Sequence, residues 1–140
     1  MAAPSFTLQL WGSDEIVSLD DYHGKALLIT FWVSWCPDCQ RDLHNKQQLY
    51  QAMNTQDVDM LMIHVPAREK EQEAGPAYID KKEYTFPTAS DHGSHLYDRF
   101  QCMSVPTTFL INEHGDIAGR LNDKASFQEL LQLVGKVFQT

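Results

Sequence analysis

The chain has 140 residues, 43% of them hydrophobic and 21% charged, with a formal net charge of −8. One globular domain is expected from that length and balance, and the acidic surplus argues against a nucleic-acid partner or an anionic membrane surface. The three cysteines, Cys36, Cys39 and Cys102, are too few and odd in number to form a disulfide framework.

The N-terminal stretch MAAPSFTLQLWGSDE lacks the basic and apolar segments of a secretory signal. A cytoplasmic location is therefore expected of the chain as it stands, and an extracytoplasmic one if it is the soluble part of an exported protein. FTLQL and EIVSL are short alternating runs on either side of WGSD, which predicts a hairpin. DYHGK then turns into ALLITFWV, too short and β-rich for a helix and too uniformly apolar for an edge, so a central strand is expected. That run is also far too short to span a membrane.

Pro37 suits the first turn of a helix. This helix is expected from about Cys36 to Met53, with Leu43, Leu49, Tyr50 and Met53 inward and a Gln/Asn/Lys face outward. VDMLMIHV reads as a second buried strand. AREKEQEAGPAYIDKKEY is helical in composition, with an interruption expected at Gly75–Pro76. FPTAS reads as a short strand and HLYDRF as one or two helical turns. PTTFLIN and DIAGRL form a hairpin across EHG, with Gly115 in the turn. Ser126 and Glu129 fit a capping box, and Phe127, Leu130, Leu131, Val134, Val137 and Phe138 keep helical spacing behind it. The resulting class is α/β: a central mixed sheet flanked by helices, with an added N-terminal hairpin and a helical insertion after the second core strand.

Chemistry concentrates in FWVSWCPDCQ. If Pro37 opens a helix, Cys36 lies at its N-terminal boundary and Cys39 one turn later on the same face, within reach of a disulfide. Unpaired N–H groups and the helix dipole favour a thiolate there, so Cys36 is expected to face solvent and attack, and Cys39 to stand behind it and resolve the mixed disulfide. A zinc or copper site would need further ligands, and Cys102 is alone while the histidines are scattered apart from His92 and His95.

These residues resemble the thioredoxin superfamily, and within it the TlpA/ResA-like thiol–disulfide oxidoreductases. The likeness runs from PSFTLQ…DEIVSLDDYHGKALLITFWVSWCPDC to SVPTTFLINEHGDI, two motifs about 65 residues apart in the family's order. It implies the thioredoxin fold and a cis Val105–Pro106 bond beside the cysteines. Val105 and Pro106 then hold an extended substrate and Trp35 shapes the surface. It also implies an activity, reduction of disulfides in protein substrates, with a thiol reductant or membrane reductase as electron donor. No organic cofactor and no metal are expected, because the two cysteines carry both electrons, and a monomer is expected.

The departures from the family are specific. Thr30 stands where thioredoxin has a buried acid and cannot act as a general base. Ungapped alignment brings Ala67 or Lys70 to the position of a ResA-like glutamate, flanked by Glu69 and Glu71; Glu69 is the expected proton acceptor for Cys39. Pro37 and Asp38 separate the cysteines, and the Asp38 charge is expected to oppose the thiolate and make the couple more reducing. Ser104 adds a hydroxyl near the groove, and Cys102 is expected to be a small core residue. Two rivals remain. One is a thiol peroxidase, which would place threonine where Val33 stands. The other is a copper metallochaperone using Cys36, Cys39 and a histidine such as His92.

Overall fold

The computed structural model describes residues 1–136. Strands β1 (Thr7–Gln9) and β2 (Ile16–Ser18) pair antiparallel as a separate two-stranded hairpin. The main sheet has the order β5-β4-β3-β6-β7, with β3 (Ala26–Trp32), β4 (Val58–His64), β5 (Thr88–Ser90), β6 (Thr107–Ile111) and β7 (Ile117–Leu121). β3, β4 and β5 run parallel, and β6 lies antiparallel to β3 and to β7.

All seven residues of β3 are buried, as its unbroken apolar run requires of a strand covered on both faces. The covering helices are α1 (Pro37–Ala52), α2 (Ala74–Lys82), α3 (His95–Arg99) and α4 (Phe127–Lys136). The N-terminal hairpin protects the outer edge of the sheet. Leu10 bridges to Ala89, and the Trp11 N–H donates to the Thr88 carbonyl at 2.8 Å, so β5 is not left as an open edge.

Three expectations are corrected. The segment after β4 is not one interrupted helix: a single 3-10 turn at Pro66–Arg68 is followed by non-helical chain, and α2 begins at Ala74. Gly75 and Pro76 therefore start this helix, which is where a proline's missing N–H is tolerated. On α1, Lys46 and Gln47 are buried rather than part of an outward polar face. Gln47 accepts from the Thr85 N–H and donates to the Thr85 hydroxyl, which ties α1 to the approach to β5. On α4 the Ser126–Glu129 capping box forms in both directions, but Leu131 is exposed, while Leu130 is the buried anchor. Val137 and Phe138 lie outside the described residues.

Gly75 packs so closely under the His64 imidazole that an added Cβ would overlap the ring. Gly75→Ala should therefore destabilise the fold by about 1–3 kcal/mol. At an open helical site the same change would gain up to about 1 kcal/mol. Urea unfolding of the two proteins measures the sign.

Candidate active site

β3 ends at Trp32, and Val33 and Ser34 lead the chain out of the sheet to Trp35 and Cys36. Cys36 is the N-cap of α1 with extended backbone, and Pro37 occupies the first helical position. The Gln40 N–H donates to the Cys36 carbonyl at 2.9 Å, closing the first turn. Cys36 is half-buried, whereas Cys39, one turn inward, is 0% exposed; both carry free thiols. Burial pushes the Cys39 thiol far above its ordinary range. A backbone hydrogen bond with Val33 opposes that shift, and the Cys36 sulfur and the Asp42 carboxylate add to it.

The Val105–Pro106 peptide bond is cis. The Cys36 thiol points at the Val105 carbonyl oxygen, 3.8 Å away, so residues 69 positions apart meet at one end of the neighbouring strands β3 and β6. Trp35 is 43% exposed and is fixed on both sides. Its indole N–H donates to the Arg68 carbonyl at 2.9 Å, and the Lys70 ammonium sits 4.7 Å above its ring. Val105, Trp35, Arg68 and Ala67 line a shallow groove beside Cys36. The Asp38 carboxylate, between the cysteines, pairs with Arg41 and more distantly with Lys124 at 3.8 Å, so cations partly offset its charge.

Glu69 is placed differently from the expectation. Its side chain is 1% exposed and faces Ser34 and His64 rather than Cys39. The Ser34 N–H donates to one carboxylate oxygen at 2.9 Å, the Ser34 hydroxyl donates to the other at 2.8 Å, and His64 Nε2 lies 2.8 Å from the first. Burial alone would raise the Glu69 pKa, but the hydrogen bonds from His64 and Ser34 outweigh it and hold the carboxyl below its ordinary range. A carboxylate so firmly deprotonated is a weak base. Its evident work is mechanical: it ties the loop bearing Trp35 and Cys36 to the end of β4.

The acidic side chain on the Cys39 face of α1 is Asp42, and behind it stands Lys46. Neither was singled out in the sequence. The available signal was the spacing of Cys39, Asp42 and Lys46 at i, i+3 and i+7, which puts all three on one helical face. Thr30 is buried beside Lys46 and pairs in register with Thr108. The Ser104 hydroxyl donates to Asp123 at 3.1 Å. Cys102 is buried, and burial pushes its thiol up to about 12, so it stays protonated near neutrality. Among the described residues, no group of three or more His, Cys, Asp or Glu side chains is close enough to hold a metal, and His92 is exposed. Nor is any helix among them long and apolar enough to cross a membrane.

The model of the AhpC/TSA family matches residues 1–120. Sporulation thiol-disulfide oxidoreductase A of Bacillus subtilis (strain 168) is 29% identical over 116 residues, covering 83% of this chain and 70% of that protein. Thiol-disulfide oxidoreductase ResA of Halalkalibacterium halodurans is 32% identical over 103 residues, covering 74% of this chain but 57% of its own length. The crystal structure of a thioredoxin-like superfamily protein, 21% identical, superposes with a TM-score of 0.87 over 100% of this chain and 97% of that one. The backbone is thus a thioredoxin fold.

Below the ordinary glutamate value of 4.5 the unfolded chain binds more protons at Glu69 than the folded one. The stability it contributes is present above that value and disappears as pH falls through the folded pKa. Glu69→Gln should cost about 2 kcal/mol at neutral pH. The difference from wild type should shrink in strongly acidic buffer, as urea unfolding at both pH values would show.

Proposed function

The chain belongs to the AhpC/TSA family, and from that premise we infer that it is a thiol–disulfide oxidoreductase reducing protein disulfides through Cys36 and Cys39. The observation that carries this reading is the meeting of a half-buried thiol at a helix N-terminus, a buried thiol one turn behind it, and the Val105 carbonyl at 3.8 Å. An incoming disulfide can lie along the groove of Trp35 and Val105, pairing its backbone with Val105 as an added strand would.

The electron count closes on the two cysteines. The Cys36 thiolate attacks one sulfur of the substrate disulfide, and the other sulfur leaves as a thiolate. Cys39 then loses its proton and attacks the Cys36 sulfur. The Cys36–Cys39 bond forms, the mixed disulfide breaks, and the second substrate sulfur departs as a thiolate. Two electrons have passed to the substrate without an organic cofactor, and a thiol reductant or membrane reductase must return them. Cys102, buried and protonated, takes no part. A peroxide-reducing reading lacks support at Val33, which is apolar and buried where that chemistry would want a hydroxyl.

Insulin reduction driven by dithiothreitol tests the proposal. The wild type and Cys102→Ser should accelerate it, and Cys36→Ser should lose the acceleration. Cys39→Ser should accumulate a mixed disulfide, visible as a mass increase equal to the bound chain. An inactive wild type, or an active Cys36→Ser, would overturn the assignment.

A further inference from the structure

Lys46 is a fully buried lysine, 1% exposed, near the redox pair. Its ammonium donates to Asp42 Oδ2 at 2.8 Å, to Thr108 Oγ1 at 2.9 Å and to Thr30 Oγ1 at 3.0 Å. An ammonium has three N–H bonds, and all three are used. Lysine is almost never buried to this degree unless paired, because withdrawing its charge from water costs several kcal/mol.

The cation projects from the redox helix itself toward β3 and β6 and is held to Asp42 one turn back. Cys39, Asp42 and Lys46 share one face of α1, and the Asp42 charge is felt at Cys39. Asp42, Lys46, Thr108 and Pro106 border one cleft of about 230 Å³, so the network reaches solvent at the cis-proline. The other titratable or charged groups nearby are Cys36, Tyr78 of α2, and Asp38, Arg41 and Asp123 around the cleft.

We propose that Lys46 is a positioning residue of the redox couple: its buried charge pins the Asp42 carboxylate on the Cys39 face of α1 and offsets it, so that Cys39 can shed its proton and resolve the mixed disulfide. This rests on the oxidoreductase reading. In the step concerned, the Cys39 sulfur bonds to Cys36, the Cys36–substrate bond breaks, the substrate sulfur leaves as a thiolate, and the Cys39 proton passes to solvent through the cleft. Without the cation, the Asp42 charge would stand unopposed one helical turn from the nascent thiolate.

Excess Ellman's reagent under rapid mixing separates the two redox thiols of the chain carrying Cys102→Ser, which removes the third thiol. Attack by Cys36 releases the first thionitrobenzoate, and resolution by Cys39 releases the second. In Lys46→Met the second release should slow about tenfold at neutral pH, its log rate displaced about one pH unit toward alkali. The first release should change by less than about twofold. Lys46→Gln, which keeps a hydrogen-bond donor but no charge, should show the same displacement and decides the matter if Lys46→Met does not fold. A second-release profile that superimposes on wild type, or one restored by Lys46→Gln, overturns the proposal by showing a neutral packing role. A wild type that gives no second release overturns the oxidoreductase reading itself.

Discussion

The antiparallel pairing of β3 with β6 is the constraint on which the site depends. Phe31 sits opposite Thr107 and Thr30 opposite Thr108, so the chain leaves β3 at the end of the sheet where it enters β6. Cys36 follows the end of one strand, and Val105 and Pro106 precede the start of the other. The register therefore brings a thiol and a carbonyl from distant parts of the chain to 3.8 Å. A slip of one residue would turn every side chain of the shifted strand to the opposite face and separate Thr30 and Thr108 from the Lys46 ammonium that both now accept from. The apolar pattern that stabilises the sheet thus also sets the geometry of the site.

Two buried polar networks hold that end of the sheet from different directions. Glu69, Ser34 and His64 fasten the loop ahead of Cys36 to the end of β4. Asp42, Lys46, Thr30 and Thr108 connect the helix behind Cys39 to β3 and β6. In each, every charged group named has close partners, the condition under which buried charge is tolerated. The two carboxylates differ in consequence. Glu69 is enclosed and held deprotonated, whereas Asp42 keeps 25% of its side chain exposed, at the cleft beside the cis-proline.

The environments of the three cysteines separate them without any change of residue type. Cys36 is half-buried at a helix start, Cys39 lies inside the same turn, and Cys102 is enclosed in the turn that follows α3. Burial keeps Cys39 and Cys102 protonated, but only Cys39 has a sulfur neighbour and a path to the cleft through Asp42.

The sequence by itself determined the order of elements, the central place of β3, the helix start at Pro37 and the identity of the cysteine pair. Each of these rests on local signals: apolar periodicity, a proline at a helix boundary and the spacing of two sulfurs. It did not determine what stands behind that pair. Lys46 occupies a stretch of Gln, Asn and Lys that reads as solvated, and only the approach of Thr30 and Thr108 from two strands turns it inward. Glu69 had the right composition for a base, but the turn at Pro66–Arg68 aims it at Ser34 and His64. Charge placement of this kind depends on which distant groups satisfy a buried donor or acceptor, and those partners exist only once the sheet has assembled.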